Sequence, residues 1–151
     1  MTRRLFLSLF ALGLPASSPS ASQVSDSPAG SPANNWEMTL FTKEGPRSMT
    51  LRGSEVRFFG TNRFDVVDFS ITIYSGKADA QVDTILLSPY ATFLAGDNRD
   101  YRANGDKSVR FIREDMEITG EQWTYLHTQR KVTIQKNSRV VFHTPLPDLI
   151  Q

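Results

Sequence analysis

Apolar and polar residues alternate along most of the chain after residue 36. In "MEITGEQWTY" Met116, Ile118, Trp123 and Tyr125 fall on alternate positions within each half, while Glu117, Thr119, Gln122 and Thr124 take the others. "KVTIQ" continues the pattern with Val132 and Ile134, and "RVVF" with Val140 and Phe142. Successive side chains of a strand point to opposite faces, so a period of two predicts half-buried strands. The i, i+3, i+4, i+7 spacing of an amphipathic helix is not sustained anywhere in this region. Thr, Val, Ile, Phe and Tyr supply the strand propensity. The expected fold class is all-β.

The pattern is also repeated. "MTLRGSEVRFFGTNRFDVVDFSITIY", Met49 to Tyr74, lies against Met116 to Phe142 with Met49 on Met116 and Gly53 on Gly120. Val56 and Phe58 then match Trp123 and Tyr125. After a one-residue slip in the turn, Phe64 and Val66 match Val132 and Ile134, and Tyr74 matches Phe142. Each copy reads as strand, glycine, strand, polar turn ("GTNR", "HTQR"), then a further strand or two. A weaker middle copy is "DTILLSPYATFLAGDNRDYRANGDKSVRFI", with expected turns at Gly96-Asp97-Asn98 and Asn104-Gly105-Asp106. Glycine inside a strand pattern marks a bulge or sharp bend. Leu51 and Val56 are separated by an odd interval around Gly53, as are Ile118 and Trp123 around Gly120. A regular strand would put the members of each pair on opposite faces, and a bulge would return them to one. An ordinary hairpin turn at "GS" and "GE" is the other reading of the same residues.

The ends differ from this domain in composition. Arg3 and Arg4 precede an apolar run from Leu5 to Leu14 and a small-residue zone, the layout of a secretory signal cleaved after Ser22. A bilayer-spanning helix needs roughly 20 apolar residues, about twice this run; an uncleaved inner-membrane anchor or a buried helix is the alternative. Residues 23–35 are rich in Ser, Pro, Ala and Gly and are expected to form a flexible linker. The folded domain is expected over 36–143. Residues 144–151, "TPLPDLIQ", form a tail whose Pro145 and Pro147 bar another central strand. The whole chain carries a formal charge of +1, but without residues 1–22 it holds 15 basic against 16 acidic side chains. So near-neutral a chain lacks the concentrated basic footprint of bulk nucleic-acid binding. There is no cysteine, which excludes a lipoprotein anchor and any disulfide.

Candidate chemistry is sparse. The two histidines, His127 in an expected turn and His143 at the end of the last strand, have no partner at metal-ligand spacing. Glu114-Asp115 and Asp97 with Asp100 sit in expected turns and do not match a calcium loop. No phosphate-binding loop, dinucleotide fingerprint or nucleophile elbow is present, and no base stands beside a nucleophile. Neither an enzyme nor a cofactor is expected. Arg99, Arg102, Lys107, Arg110 and Arg113 form a modestly basic stretch. It suits either lipid phosphates or ordinary surface charge.

The repeated units "ITGEQWTY-turn-RKVTIQKNSRVVF" and "LRGSEVRFF-turn-RFDVVDFSITI", together with the export signal, resemble the periplasmic lipopolysaccharide-export family. Its LptA/LptC-like members share the OstA-like β-jellyroll. The resemblance spans roughly Trp36 to Phe142. It implies a single twisted β-jellyroll that shields lipid acyl chains between the inner and outer membranes. It also implies an inner-membrane ABC transporter as partner, and other jellyroll subunits joined by edge-strand pairing near Met38–Phe41 and Arg139–Phe142. At about 0.8 kcal/mol per CH₂, an acyl chain of roughly a dozen carbons costs near 10 kcal/mol to expose. The residues expected to line the trough are Val56, Phe58, Phe64, Val66, Ile71, Ile73, Phe93, Phe111, Ile118, Trp123, Tyr125, Ile134 and Phe142. The same residues could equally be packed core. The short apolar run departs from the anchored branch of the family and favours a soluble, LptA-like role, or a branch with its own attachment. The rival reading is a structural or carbohydrate-binding β-sandwich of the bacterial envelope.

Overall fold

Runs of alternating residues become strands wherever one set of side chains finds a common interior. In the computed structural model, which describes residues 30–143, these runs form seven strands. They are β1 (Ala33–Phe41), β2 (Arg47–Phe59), β3 (Arg63–Tyr74), β4 (Val82–Ala95), β5 (Tyr101–Ile112), β6 (Met116–Leu126) and β7 (Lys131–Phe142). One short 3₁₀ turn, Asp97–Arg99, joins β4 to β5. Each strand pairs antiparallel with its neighbour in the chain, so the order in the single sheet is β1 to β7. The expected signal, the linker up to residue 29 and the tail from residue 144 lie outside the described residues. β1 begins at Ala33, ahead of the expected domain start at Trp36, so the last residues assigned to the linker belong to the sheet.

Gly53 and Gly120 lie inside single unbroken strands, β2 and β6, and the hairpin reading of these glycines is therefore incorrect. The re-phasing reading holds instead. Leu51 and Val56 are both fully buried, and Trp123 is buried with Ile118 partly so. The reason for glycine is close approach. A Cβ on Gly53 would run into Val66 Cγ1, and one on Gly120 would run into Ile134 Cγ2 while lying 2.9 Å from the Lys136 carbonyl. Gly105 is a correction of a different kind. Asn104-Gly105-Asp106 was expected as a turn, but it lies within β5, where a Cβ would meet the Trp123 indole at 2.8 Å. Asn and Asp beside Gly are turn-forming residues locally, and the packing of the indole overrides that preference.

These irregularities fall on one line. Pairing skips between Leu87 and Thr92 along β4, between Gly105 and Ser108 along β5, and between Thr119 and Glu121 along β6. Asn35, Asp68, Gln122 and Asn137 have φ between 50° and 54°, in the left-handed region that Asn and Asp tolerate best. Together with Gly53 and Pro89 they mark a crease running across all seven strands. Bulges increase local bend and twist, and here they let the sheet curl upon itself. Phe69 of β3 stacks on Trp123 of β6 with 6.3 Å between ring centroids, although β4 and β5 lie between those strands in the sheet. The inner face thus packs against itself, with Met49, Leu51, Val66, Ile71, Leu86 and Phe93 at its centre, each fully buried.

Candidate functional site

Twelve of the thirteen residues expected to line a trough reach the same interior. Val56, Phe64, Val66, Ile71, Ile73, Phe93, Phe111, Trp123 and Tyr125 are buried in the core, and Phe58, Ile118 and Ile134 pack against it half-buried. Phe142 does not join them. It sits on edge strand β7 opposite Met116 and is 54% exposed, since among the described residues no strand lies beyond β7. The interior fills itself through an aromatic series. Phe58 meets Phe64 edge-on at 5.2 Å, Phe64 stacks on Phe93 at 5.9 Å, and Phe93 on Tyr101 at 5.9 Å. Such offset and edge-on pairs are favourable beyond their area.

One end of the interior carries a shallow mouth, whose apolar floor residues are each no more than 9% exposed. Ile73, Phe111 and Tyr125 form the apolar floor of a mouth of about 180 Å³, rimmed by Asp83, Arg113 and Arg130. A more polar depression of about 500 Å³ adjoins it and shares Asp83 and Arg113. Beside this mouth stands a group that sequence reasoning missed. Ser48 Oγ lies 3.0 Å from His127 Nε2, and the Tyr125 hydroxyl lies 2.9 Å from His127 Nδ1. Ser48 and His127 are 79 residues apart, so no local pattern could have joined them. Burial pushes the Tyr125 hydroxyl up from its ordinary value. Burial, and then the charge of Arg130, push His127 down, so the ring is neutral near pH 7.

A larger concavity, about 610 Å³, lies on the opposite face of the sheet at the crease. Its floor follows the directly paired row Ser70–Leu87–Arg110–Thr119, which alternates with the inward-facing row Ile71–Leu86–Phe111–Ile118. None of the expected trough residues lines it. Arg110 is held there by Glu117 through two hydrogen bonds of 2.6 and 2.9 Å, and this contact lowers the Glu117 carboxyl below its usual range. In the basic stretch, Arg102 pairs with Asp100 at 3.0 Å and Arg113 with Asp115 at 4.0 Å. These arginines serve the surface first.

The remaining acids do not converge. Asp65 is buried, but its carboxylate accepts hydrogen bonds from Tyr90 at 2.9 Å and Thr92 at 2.8 Å, a satisfied structural arrangement. Glu114-Asp115 and Asp97 with Asp100 stand in the β5–β6 and β4–β5 connections, as expected. His143 closes the sheet's end, its amide donating to the Asp115 carbonyl at 2.9 Å. Among the described residues no group of three potential metal ligands comes together, and no helix is long and apolar enough to cross a membrane. No protein-family model matches the chain, and no curated protein matches it.

Proposed function

We propose that this protein is a periplasmic component of lipopolysaccharide transport, a β-jellyroll of the LptA/LptC-like kind that shields acyl chains in its interior. The observation that carries this reading is the curled single sheet, which gathers the apolar residues of seven strands into one interior with a mouth at Ile73, Phe111 and Tyr125. No disulfide ties the wall, and its first and last strands are both unpaired edges. The interior is filled by its own side chains, so a guest tail must replace them. A dozen-carbon tail gains near 10 kcal/mol by burial, about what it costs to displace roughly three to seven Val, Leu or Phe side chains at about 1.5–3 kcal/mol each.

The edges supply the partner surfaces. Val140, Val141 and Phe142 on β7 and Phe41 on β1 are large apolar side chains left exposed on the two edge strands of the described sheet. Unpaired strands accept a further strand by main-chain hydrogen bonding. Other jellyroll subunits of an export bridge, and an inner-membrane ABC transporter at its start, are the partners that fit. A photo-crosslinking residue in place of Phe111 at the mouth, or of Trp123 deeper in, is expected to capture lipopolysaccharide in envelope extracts. Folded protein that yields no lipid adduct at either position would remove the carrier reading.

One observation favours a second reading. The filled interior is what a structural or carbohydrate-binding envelope module requires, and the outer groove presents Asp68, Ser70, Thr119, Glu121 and Asn137 to solvent-borne hydroxyls. Cell-wall saccharide fragments would then shift the NMR signals of these groove residues and leave those at the mouth unchanged.

A further inference from the structure

Ser48 owes its position to a local irregularity. Leu40 pairs with Met49 but Phe41 pairs with Arg47, so Ser48 is the extra residue of a bulge. Bulges re-aim side chains, and this one sends the hydroxyl to His127, in the turn after β6, across a gap that three strands occupy in the sheet order. His127 is seated by its neighbours. Tyr125 bonds the other ring nitrogen, and the Tyr101 ring packs 5.9 Å away. The contact stands beside the mouth, which Tyr125 and Arg130 also line. From the opposite flank Gly76, in the β3–β4 turn, comes so near Arg130 that an added Cβ would lie 3.8 Å from the guanidinium.

We propose that Ser48, His127 and Tyr125 form a clasp that holds the curled sheet shut beside its mouth, and that its release parts β2 from the β6–β7 turn and uncovers the inner face. The purpose of the clasp rests on the lipid-shielding reading; its existence is a property of the fold.

Two hydroxyls can partner the ring in either charge state, and its burial beside Arg130 favours the neutral one. A neutral imidazole offers one N–H donor and one acceptor. Either the Tyr125 hydroxyl donates to Nδ1 while Nε2–H donates to Ser48, or Ser48 donates to Nε2 while Nδ1–H donates to Tyr125. The groups facing the ring are Ser48 from β2, Tyr101 from β5, Tyr125 from β6 and Arg130 in its own turn, with Asp83 of β4 acting on Tyr125. Among the described residues no carboxylate bonds the ring. Burial and Arg130 therefore oppose its protonation, whereas a ring released to water takes a proton near its ordinary value of about 6.5. A depressed folded value means that the open form binds more protons. Closure is at full strength above the ordinary value and weakens as pH falls below it.

The absence of native cysteine makes the test direct. Spin labels on cysteines replacing Lys43, in the β1–β2 turn, and Thr128, in the β6–β7 turn, report the separation of the two flanks; both positions are exposed. In the full chain at about pH 7.5 one narrow distance is expected, and at about pH 5 a longer, broader distribution. Ser48→Ala is expected to raise the open population roughly fivefold at the higher pH, the effect of one hydrogen bond. His127→Phe is expected to abolish the pH response, with far-UV circular dichroism confirming that each variant keeps its strands. An identical narrow distribution at both pH values would overturn the proposal, as would broadening that Ser48→Ala leaves unchanged. No lipid enters this experiment. A clasp that fails here does not touch the crosslinking result, and absent lipid adducts do not touch the distances.

Discussion

Gly120 and Gln122 stand two residues apart in β6 and make opposite demands on the backbone. Gly120 needs the absence of a side chain, because Ile134 and the Lys136 carbonyl occupy that space. Gly120→Ala is expected to lower unfolding stability by about 1–3 kcal/mol, the cost of overpacking, measured by urea denaturation. Gln122 instead bears a side chain at φ 54°, a region costing about 1–2 kcal/mol for such residues. Gln122→Gly is expected to raise stability by about 0.5–1 kcal/mol once the entropy of glycine is deducted, visible in the same denaturation curves. Asp65→Ala would strand the Tyr90 and Thr92 hydroxyls that now bond its carboxylate, and a loss of about 1–3 kcal/mol is expected. Of these roles, those of Gly53 and Gly120 were legible from the odd spacing of apolar residues around them. That of Gly105 was not, because its neighbours Asn104 and Asp106 suit a turn equally well and only the Trp123 indole, arriving from the next strand, decides the matter. The Ser48–His127 contact was invisible for a related reason: bulges and curl, not local sequence, bring the two together.

Among the elements, β7 differs most from the rest. All but Val132 and Ile134 of its residues are exposed, whereas seven of the twelve residues of β3 are buried. Amides of β7 are therefore expected to exchange with solvent much faster than those of β3 and β4, by native-state hydrogen exchange, since local opening tracks buried contact. The exposed row Val140, Val141 and Phe142 makes the same strand adhesive. Replacing Val140 and Phe142 together by Lys is expected to reduce concentration-dependent association in sedimentation velocity while leaving the circular dichroism unchanged. Strand existence was readable from the alternation, whereas the two edges were expected only from the family resemblance. What alternation could not convey was exposure: Phe142 has the period of an interior residue, yet among the described residues no strand lies beyond β7 and it stands exposed.

For the whole molecule, the same apolar face that closes the fold is the face a lipid would claim. A ligand that binds only the folded chain raises its stability by about 2.7 kcal/mol at a free concentration a hundred times its dissociation constant. A medium-chain fatty acid at that excess is expected to raise the melting temperature, and a short-chain acid of equal charge is not; equal shifts for both would point to surface charge instead of the interior. The curl itself could not be foreseen, because period-two patterning fixes which residues face inward and is silent on which distant strands then meet. One property of the order β1 to β7 reaches further. Because every described strand hydrogen-bonds only to those adjacent in the chain, none of the described segments is threaded between two others. A hairpin copied onto either flank would lengthen the ribbon without rewiring it, and the imperfectly repeated pattern at Met49–Tyr74 and Met116–Phe142 is the trace such growth by copying would leave.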